Sequence, residues 1–185
     1  MVKSAIVIGG ARCVFDDIDA ACALARFDLW IVCNDIGGVL RDDIDYWVTL
    51  HPEKLRGWQD KRAAAGFNQD YKSIIHVRSD EECTGRPRID EVIPYEWDGV
   101  SGSGSSGLFA VRVAKLKGAK RIVLAGVPMT AKAGHFFDDK DWGEFDSFLG
   151  TWAQLEARLK KCCRSMSGWT AALLGKPDAK WIDEA

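Results

Sequence analysis

The chain has 185 residues, 47% of them hydrophobic and 28% charged, enough to bury the core of one domain or at most two without disulfide or metal support. Lys and Arg number 25 against 27 Asp and Glu, a net charge of -2, which argues against a generally basic nucleic-acid-binding surface. No apolar run approaches the roughly 18–20 residues that span a bilayer, and the run Ala5–Ile8 is too short for a signal peptide.

That first run ends in Gly9-Gly10 and reads as a strand buried on both faces. A helix is expected from Asp16 to Arg26, with Ile18, Ala21, Cys22 and Ala25 on its apolar face. Residues Leu29–Cys33 form a second strand ending at Asn34-Asp35, and Tyr46–Leu50 a third ending at His51-Pro52. Pro52 suits the first turn of a helix running to about Ala65 and closed by Gly66. Residues Ser73–Val77 are a fourth strand, 79–91 a polar loop, and Glu91–Tyr95 a short strand. The stretch Ser101–Gly107 leads into an apolar helix at Leu108–Lys117, with Ser105 or Ser106 expected as its N-cap. A buried strand follows at Arg121–Gly126.

In the last third, Phe145, Phe148, Trp152, Leu155, Leu159 and Cys162 recur at spacings of 3 and 4, one apolar stripe along a single long helix. The stripe is expected to pack on the parent domain. The sequence thus divides into an α/β, Rossmann-like nucleotide-binding domain over residues 1–140 and a helical C-terminal extension over 141–185. Its sheet is expected to be mostly parallel, with helices on both faces.

In such sheets ligands bind beyond the carboxyl ends of the strands. The glycine-rich and polar residues of this chain gather at those ends. Gly9, Gly10, Ala11 and Arg12 form a turn whose N–H groups can approach an anion, although neither a GxGxxG fingerprint nor a P-loop is present. Asn34 and Asp35 can hold a ribose or base, or simply form a turn. Ser103, Gly104, Ser105, Ser106 and Gly107 have a linker's composition, but their place before an apolar helix favours anion binding by its first turn.

The three histidines differ in setting. His135, in a glycine-hinged polar loop after a buried strand, is the candidate general base, and His51 the second candidate. His76, inside a strand, reads as structural. Trp47, Trp142 and Trp152 sit where a core would want them. Asp138, Asp139 and Asp141 offer carboxylates for a cation but read better as a solvated loop. The six cysteines, at 13, 22, 33, 83, 162 and 163, form no CxxC pair, and no structural metal site is expected. Cys22 and Cys33 read as small core residues of a reduced, cytoplasmic protein.

The glycine turn, Asn34, Ser105-Ser106-Gly107 opening a helix, Lys120–Pro128 and the later His135 together resemble the bacterial lipopolysaccharide sialyltransferases. They are also similar to the group related to archaeal hydroxymethylpterin diphosphokinases. The sialyltransferase resemblance, over about residues 3–137, implies Gly9, Gly10, Asn34, Ser105, Ser106 and Gly107 as contacts to a nucleotide-sugar donor and His135 as base. The family's Gly-x-Gly-Pro-Ser stands here as Gly9-Gly10-Ala11-Arg12-Cys13, and its Gly-Ile-Asp as Gly126-Val127-Pro128. Residues Thr49–Lys54 and Arg164–Trp169 resemble uncharacterised tailed-phage proteins.

The expected function is therefore a nucleotide-dependent transferase, specifically a glycosyltransferase, with the nucleotide sugar as substrate and no tightly bound cofactor. The alternatives are a diphosphate-transferring or nucleotide-hydrolysing enzyme, which would use Mg²⁺, and a non-catalytic phage nucleotide-binding protein. The expected partner is a small nucleotide ligand, with neither nucleic acid nor a membrane span indicated and self-association left open.

Overall fold

The computed structural model describes residues 3–76, 85–138 and 141–184. Among these, seven strands form one parallel sheet: β1 Ser4–Ile8, β2 Leu29–Cys33, β3 Tyr46–Thr49, β4 Lys72–Ile75, β5 Glu91–Val92, β6 Arg121–Ala125 and β7 Cys163–Ser165. Their order across the sheet is β5-β4-β3-β2-β1-β6-β7. The chain first builds outward from β1 through β2, β3, β4 and β5. It then returns to β1's other side, where Ile8 pairs with Ala125 of β6. The strand order therefore reverses between β1 and β6, which opens a crevice at their carboxyl ends.

The strands are continuous apolar runs because both faces are covered. Along β1, Ala5 and Val7 join one core while Ile6 and Ile8 join the other. The first core is closed by α3 (Ser105–Leu116), which brings Leu108, Phe109, Val111 and Val113 onto the sheet. The opposite core takes Val14, Ile18 and Ala21 from α1 (Val14–Leu24) and Leu55 from α2 (Pro52–Ala64). Pro52 opens α2 and Gly66, at φ 71°, follows its end, as expected.

Several expectations need correction. Helix α1 starts at Val14 rather than Asp16, and Cys22 is exposed, because the buried face runs through Val14, Asp17, Ile18 and Ala21. Helix α3 already includes Ser105 and Ser106, and its N-cap is Gly104. The single long C-terminal helix is instead α4 (Asp146–Gln154) and a one-turn α5 (Glu156–Leu159), separated at Leu155. The chain then enters β7, which the sequence reading did not contain, before α6 (Gly168–Leu174) and α7 (Ala179–Asp183). The stripe nevertheless docks as expected, with Trp152, Leu155 and Leu159 fully buried in the first core. The fourth strand ends at Ile75, and Val77 lies outside the described residues. No helix among the described residues is long and apolar enough to cross a membrane.

Candidate active site

The crevice is built on two glycines. Gly9 follows β1, Gly126 follows β6, and the Gly9 N–H donates to the Ala125 carbonyl at 2.8 Å. A Cβ on Gly9 would stand 2.5 Å from the Gly126 oxygen, and one on Gly126 would stand 2.6 Å from the Gly9 oxygen. Gly126 also has φ 66°, which an L side chain rarely adopts. Only glycine at both positions lets the two chains diverge this close together.

Asp17 holds the junction from below. Its carboxylate, 7% exposed, accepts the Gly126 N–H at 2.9 Å and the Ser167 hydroxyl at 2.6 Å. The Cys13 thiol points at the same carboxylate and is pushed up to about 11 by burial, with Asp17's charge adding to the effect.

The junction opens into a cavity of about 620 Å³. Gly9, Gly10, Ala11, Asn34, Asp35, His51, Ser103, Ser105, Ser106, Gly107 and His135 all line it. Sequence-predicted positions from five separate segments thus converge on one space. Arg12 and Gly104 stand outside the lining. The Arg12 guanidinium packs against Gly134 and donates to the Asp138 carbonyl at 3.4 Å. The Gly104 carbonyl accepts the Trp152 indole N–H at 2.7 Å, so α4 holds the serine loop from behind.

Several lining residues were not singled out by the sequence, among them Cys33, Leu50, Met129, Glu144 and Phe148. Trp142, expected in the core, is half-buried and lines the cavity, whereas Trp47 and Trp152 are fully buried as expected. The Cys33 thiol is pushed up to about 12 by complete burial, which keeps it protonated. It points to the Ser106 carbonyl at 3.6 Å and ties β2 to the start of α3.

Backbone strain gathers here. Among the described residues, the non-glycine positions with positive φ are Asn34, Arg86, Ser105 and Met129, and all but Arg86 line the cavity. Such conformations cost about 1–3 kcal/mol each and persist where the surroundings impose them. At Asn34 those surroundings are identifiable. Its carbonyl accepts the Trp47 indole N–H at 2.6 Å, and its side-chain oxygen accepts the Thr49 hydroxyl at 2.8 Å. The Thr49 oxygen in turn accepts the His51 N–H at 2.8 Å. Below this turn lies Arg62, fully buried, whose guanidinium donates to the carbonyls of Gly37, Leu40, Asp42 and Asn68.

The two candidate histidines carry different partners. His135 Nε2 lies 3.2 Å from Asp35 Oδ1, and its Nδ1 accepts the Phe137 N–H at 3.2 Å. Nε2 therefore carries the proton, and its N–H donates to the Asp35 carboxylate. The Phe136 N–H donates to the Gly10 carbonyl at 3.1 Å, which seats the histidine loop on the glycine turn. His51 Nδ1 lies 3.2 Å from Glu53 Oε1, and no protein group among the described residues bonds its Nε2. His76 follows β4 and has a buried Nδ1 with no partner among the described residues.

The N-cap residue of α3, Gly104, has no side chain, the Ser103 hydroxyl accepts only the Ser105 N–H at 3.2 Å, and the first turn, Ser105-Ser106-Gly107, lines the cavity. The positive end of the helix dipole and its free N–H groups create an anion-favouring wall. Among the described residues no Lys or Arg lines the cavity. Among the described residues there is also no group of three or more His, Cys, Asp or Glu placed to hold a metal ion. Asp139, grouped by sequence with Asp138 and Asp141, lies outside the described residues.

The fold and the crevice define a Rossmann-like α/β protein with a lined cavity at its strand-order reversal. Among solved structures, the chain is similar to the sialyltransferase CstII from Campylobacter jejuni, solved in complex with a substrate analogue, cytidine-5'-monophosphate. The similarity covers 96% of this chain and 86% of that one, with a TM-score of 0.57 and 13% identity, and it shows a shared α/β fold. No protein-family profile and no curated protein sequence matches the chain.

Proposed function

We propose that this protein is a glycosyltransferase using a nucleotide-sugar donor. The observation that carries this reading is the meeting of the uncapped α3 start, the Gly9-Gly10 turn and the His135–Asp35 pair on one cavity. The donor phosphate lies against the N–H groups of Ser106 and Gly107, with the nucleoside toward Asn34 and His51. An acceptor hydroxyl attacks the donor's anomeric carbon, forming the new C–O bond. The bond to the phosphate oxygen breaks, and its electron pair leaves with the phosphate, where the helix N-terminus stabilises the developing charge.

His135 takes the hydroxyl proton at Nδ1, and Asp35 stabilises the imidazolium through Nε2. This requires the acceptor hydroxyl to replace the Phe137 N–H at Nδ1. A second reading assigns the base to His51, which lines the cavity, with Glu53 orienting its Nδ1 and no protein group among the described residues on its Nε2.

The test is a thermal-shift panel of nucleotides and nucleotide sugars, followed by mass spectrometry of products with glycan acceptors. A ligand at 100 times its Kd adds about 2.7 kcal/mol of apparent stability. The reading expects a shift with one nucleotide class and a glycosylated product. Absence of any shift across the panel overturns it, and a shift without product moves the protein to a nucleotide-binding role.

A further inference from the structure

The cavity has two chemically distinct ends. The glycine and serine end, described above, presents backbone N–H groups. The other end is formed by the segment after the histidine loop, where Asp141, Trp142, Glu144 and Phe148 line the wall. The Trp142 and Phe148 rings stack with centroids 5.8 Å apart and an angle of 25°, so this part of the wall is aromatic. The Trp142 N–H donates to the Ala131 carbonyl at 3.0 Å, and the Glu144 carbonyl accepts the Ser147 hydroxyl at 2.7 Å. The first bond ties this wall to the loop at Ala131 and the second to the start of α4.

Each part has a recognisable use. A stacked aromatic face matches the C–H face of a pyranose ring, which is apolar although the sugar's rim is polar. Ionised carboxylates only accept hydrogen bonds, and sugar hydroxyls supply donors around that rim. Asp141 and Glu144 are exposed, so both are ready for such donors. Asp141 and Glu144 make this end negative, and no Lys or Arg is among the described lining residues, so it repels anions.

From this we infer that the Trp142–Phe148 wall with Asp141 and Glu144 is an acceptor subsite for a pyranoside without negative charge, and that it rejects acidic sugars. The inference rests on the glycosyltransferase reading for its role, but the binding itself needs no donor and no turnover.

The experiment is saturation-transfer NMR on the full chain with methyl β-galactopyranoside and methyl β-glucopyranoside, against the methyl glucuronide as the charged counterpart. Saturation transfer to a neutral glycoside, absent for the uronide, is the expected result. Trp142→Ala should abolish the signal. Because Trp142 also packs against the core, Asp141→Lys combined with Glu144→Lys supplies a second reading on exposed positions. This pair should weaken the discrimination against the uronide by about tenfold, the size of change that about 1.4 kcal/mol produces. Absence of transfer to both neutral glycosides, with and without a stabilising nucleotide, overturns the subsite, as does unchanged discrimination in the charge-reversed pair. Nucleotide binding is scored separately by thermal shift, so a nucleotide-positive, sugar-negative protein refutes this inference alone. A sugar-positive, nucleotide-negative protein refutes the transferase reading and leaves the subsite standing.

Discussion

The Nε2 atom of His135 lies 3.2 Å from the Oδ1 atom of Asp35, joining the loop after β6 to the end of β2 across the mouth of the crevice. The pair leaves the imidazole in one tautomer, since Nδ1 accepts the Phe137 N–H. Loss of the base should cost about 10²–10⁴-fold in rate. His135→Ala is therefore expected to lose most transfer activity while its Tm and nucleotide affinity stay near those of the parent. Asp35→Asn should give a partial loss of kcat. If His51→Ala is inactive while His135→Ala retains full rate, the roles of the two histidines are exchanged.

Gly10 offers a way to disturb that pair without touching either side chain. A Cβ at this position would stand 2.7 Å from His135 Nε2 and 3.4 Å from Asp35 Oδ1. Gly10→Ala should push the imidazole off the carboxylate, lowering kcat with little change in Tm. The imidazole NMR resonances of His135 provide a direct check, because they must move if the contact is broken.

The uncapped start of α3 predicts a charge effect. Ser106→Glu places a carboxylate beside the N–H groups that would hold the donor phosphate, and nucleotide affinity should fall at least tenfold, about 1.4 kcal/mol. Ser106→Ala should leave affinity within a few-fold. Isothermal titration with each variant, accompanied by its Tm, separates lost binding from lost folding. Equal affinity in both variants would remove α3 from the site.

Trp152 serves the fold and the site together. It is fully buried and donates to the Gly104 carbonyl at 2.7 Å. Trp152→Ala should destabilise the protein by about 3–5 kcal/mol. Denaturant unfolding measures this directly, and a loss below about 1 kcal/mol would contradict a core role. Trp152→Phe fills most of the space but leaves the Gly104 carbonyl without its donor, so it should weaken nucleotide binding more than it lowers stability.

The thiols give a chemical readout of burial. Burial pushes Cys13 up to about 11 and Cys33 to about 12, so both stay protonated near neutral pH and nucleophilic thiolate is scarce. Alkylation of the native protein followed by peptide mapping should modify exposed Cys22 well before either. Rapid labelling of Cys13 would show that the Asp17–Ser167 network around it opens readily.

Much of the sheet could be read from the chain because buried parallel strands are uninterrupted apolar runs, as in Ile6–Ile8 and Ile122–Leu124. The polar ends of those runs marked where the crevice lies. What escaped depends on distant partners. Cys163-Arg164-Ser165 has no strand-like sequence and becomes β7 because β6 offers it an edge, with Ile122 opposite Cys163. The break at Leu155 carries neither Gly nor Pro, so the apolar spacing runs through it unaltered. Asp35 and His135 meet only through the sheet, and nothing local to either residue announces the other. In sequence Asp17 is one of two adjacent acids near a helix start, and its role appears only when Gly126 and Ser167 come to it.

The pairing of β1 with β6 has a consequence for the order of events during synthesis. Strand β1 is synthesised well before β6 and has to wait for it before its second neighbour exists. Until then Gly9 has no Gly126 opposite it, even though α3 already has β1, β2 and β3 to pack on. A nascent or partly folded chain thus lacks a binding crevice altogether. Ligand capture then becomes a late event, available only once the most sequence-distant pairing of the central sheet has closed.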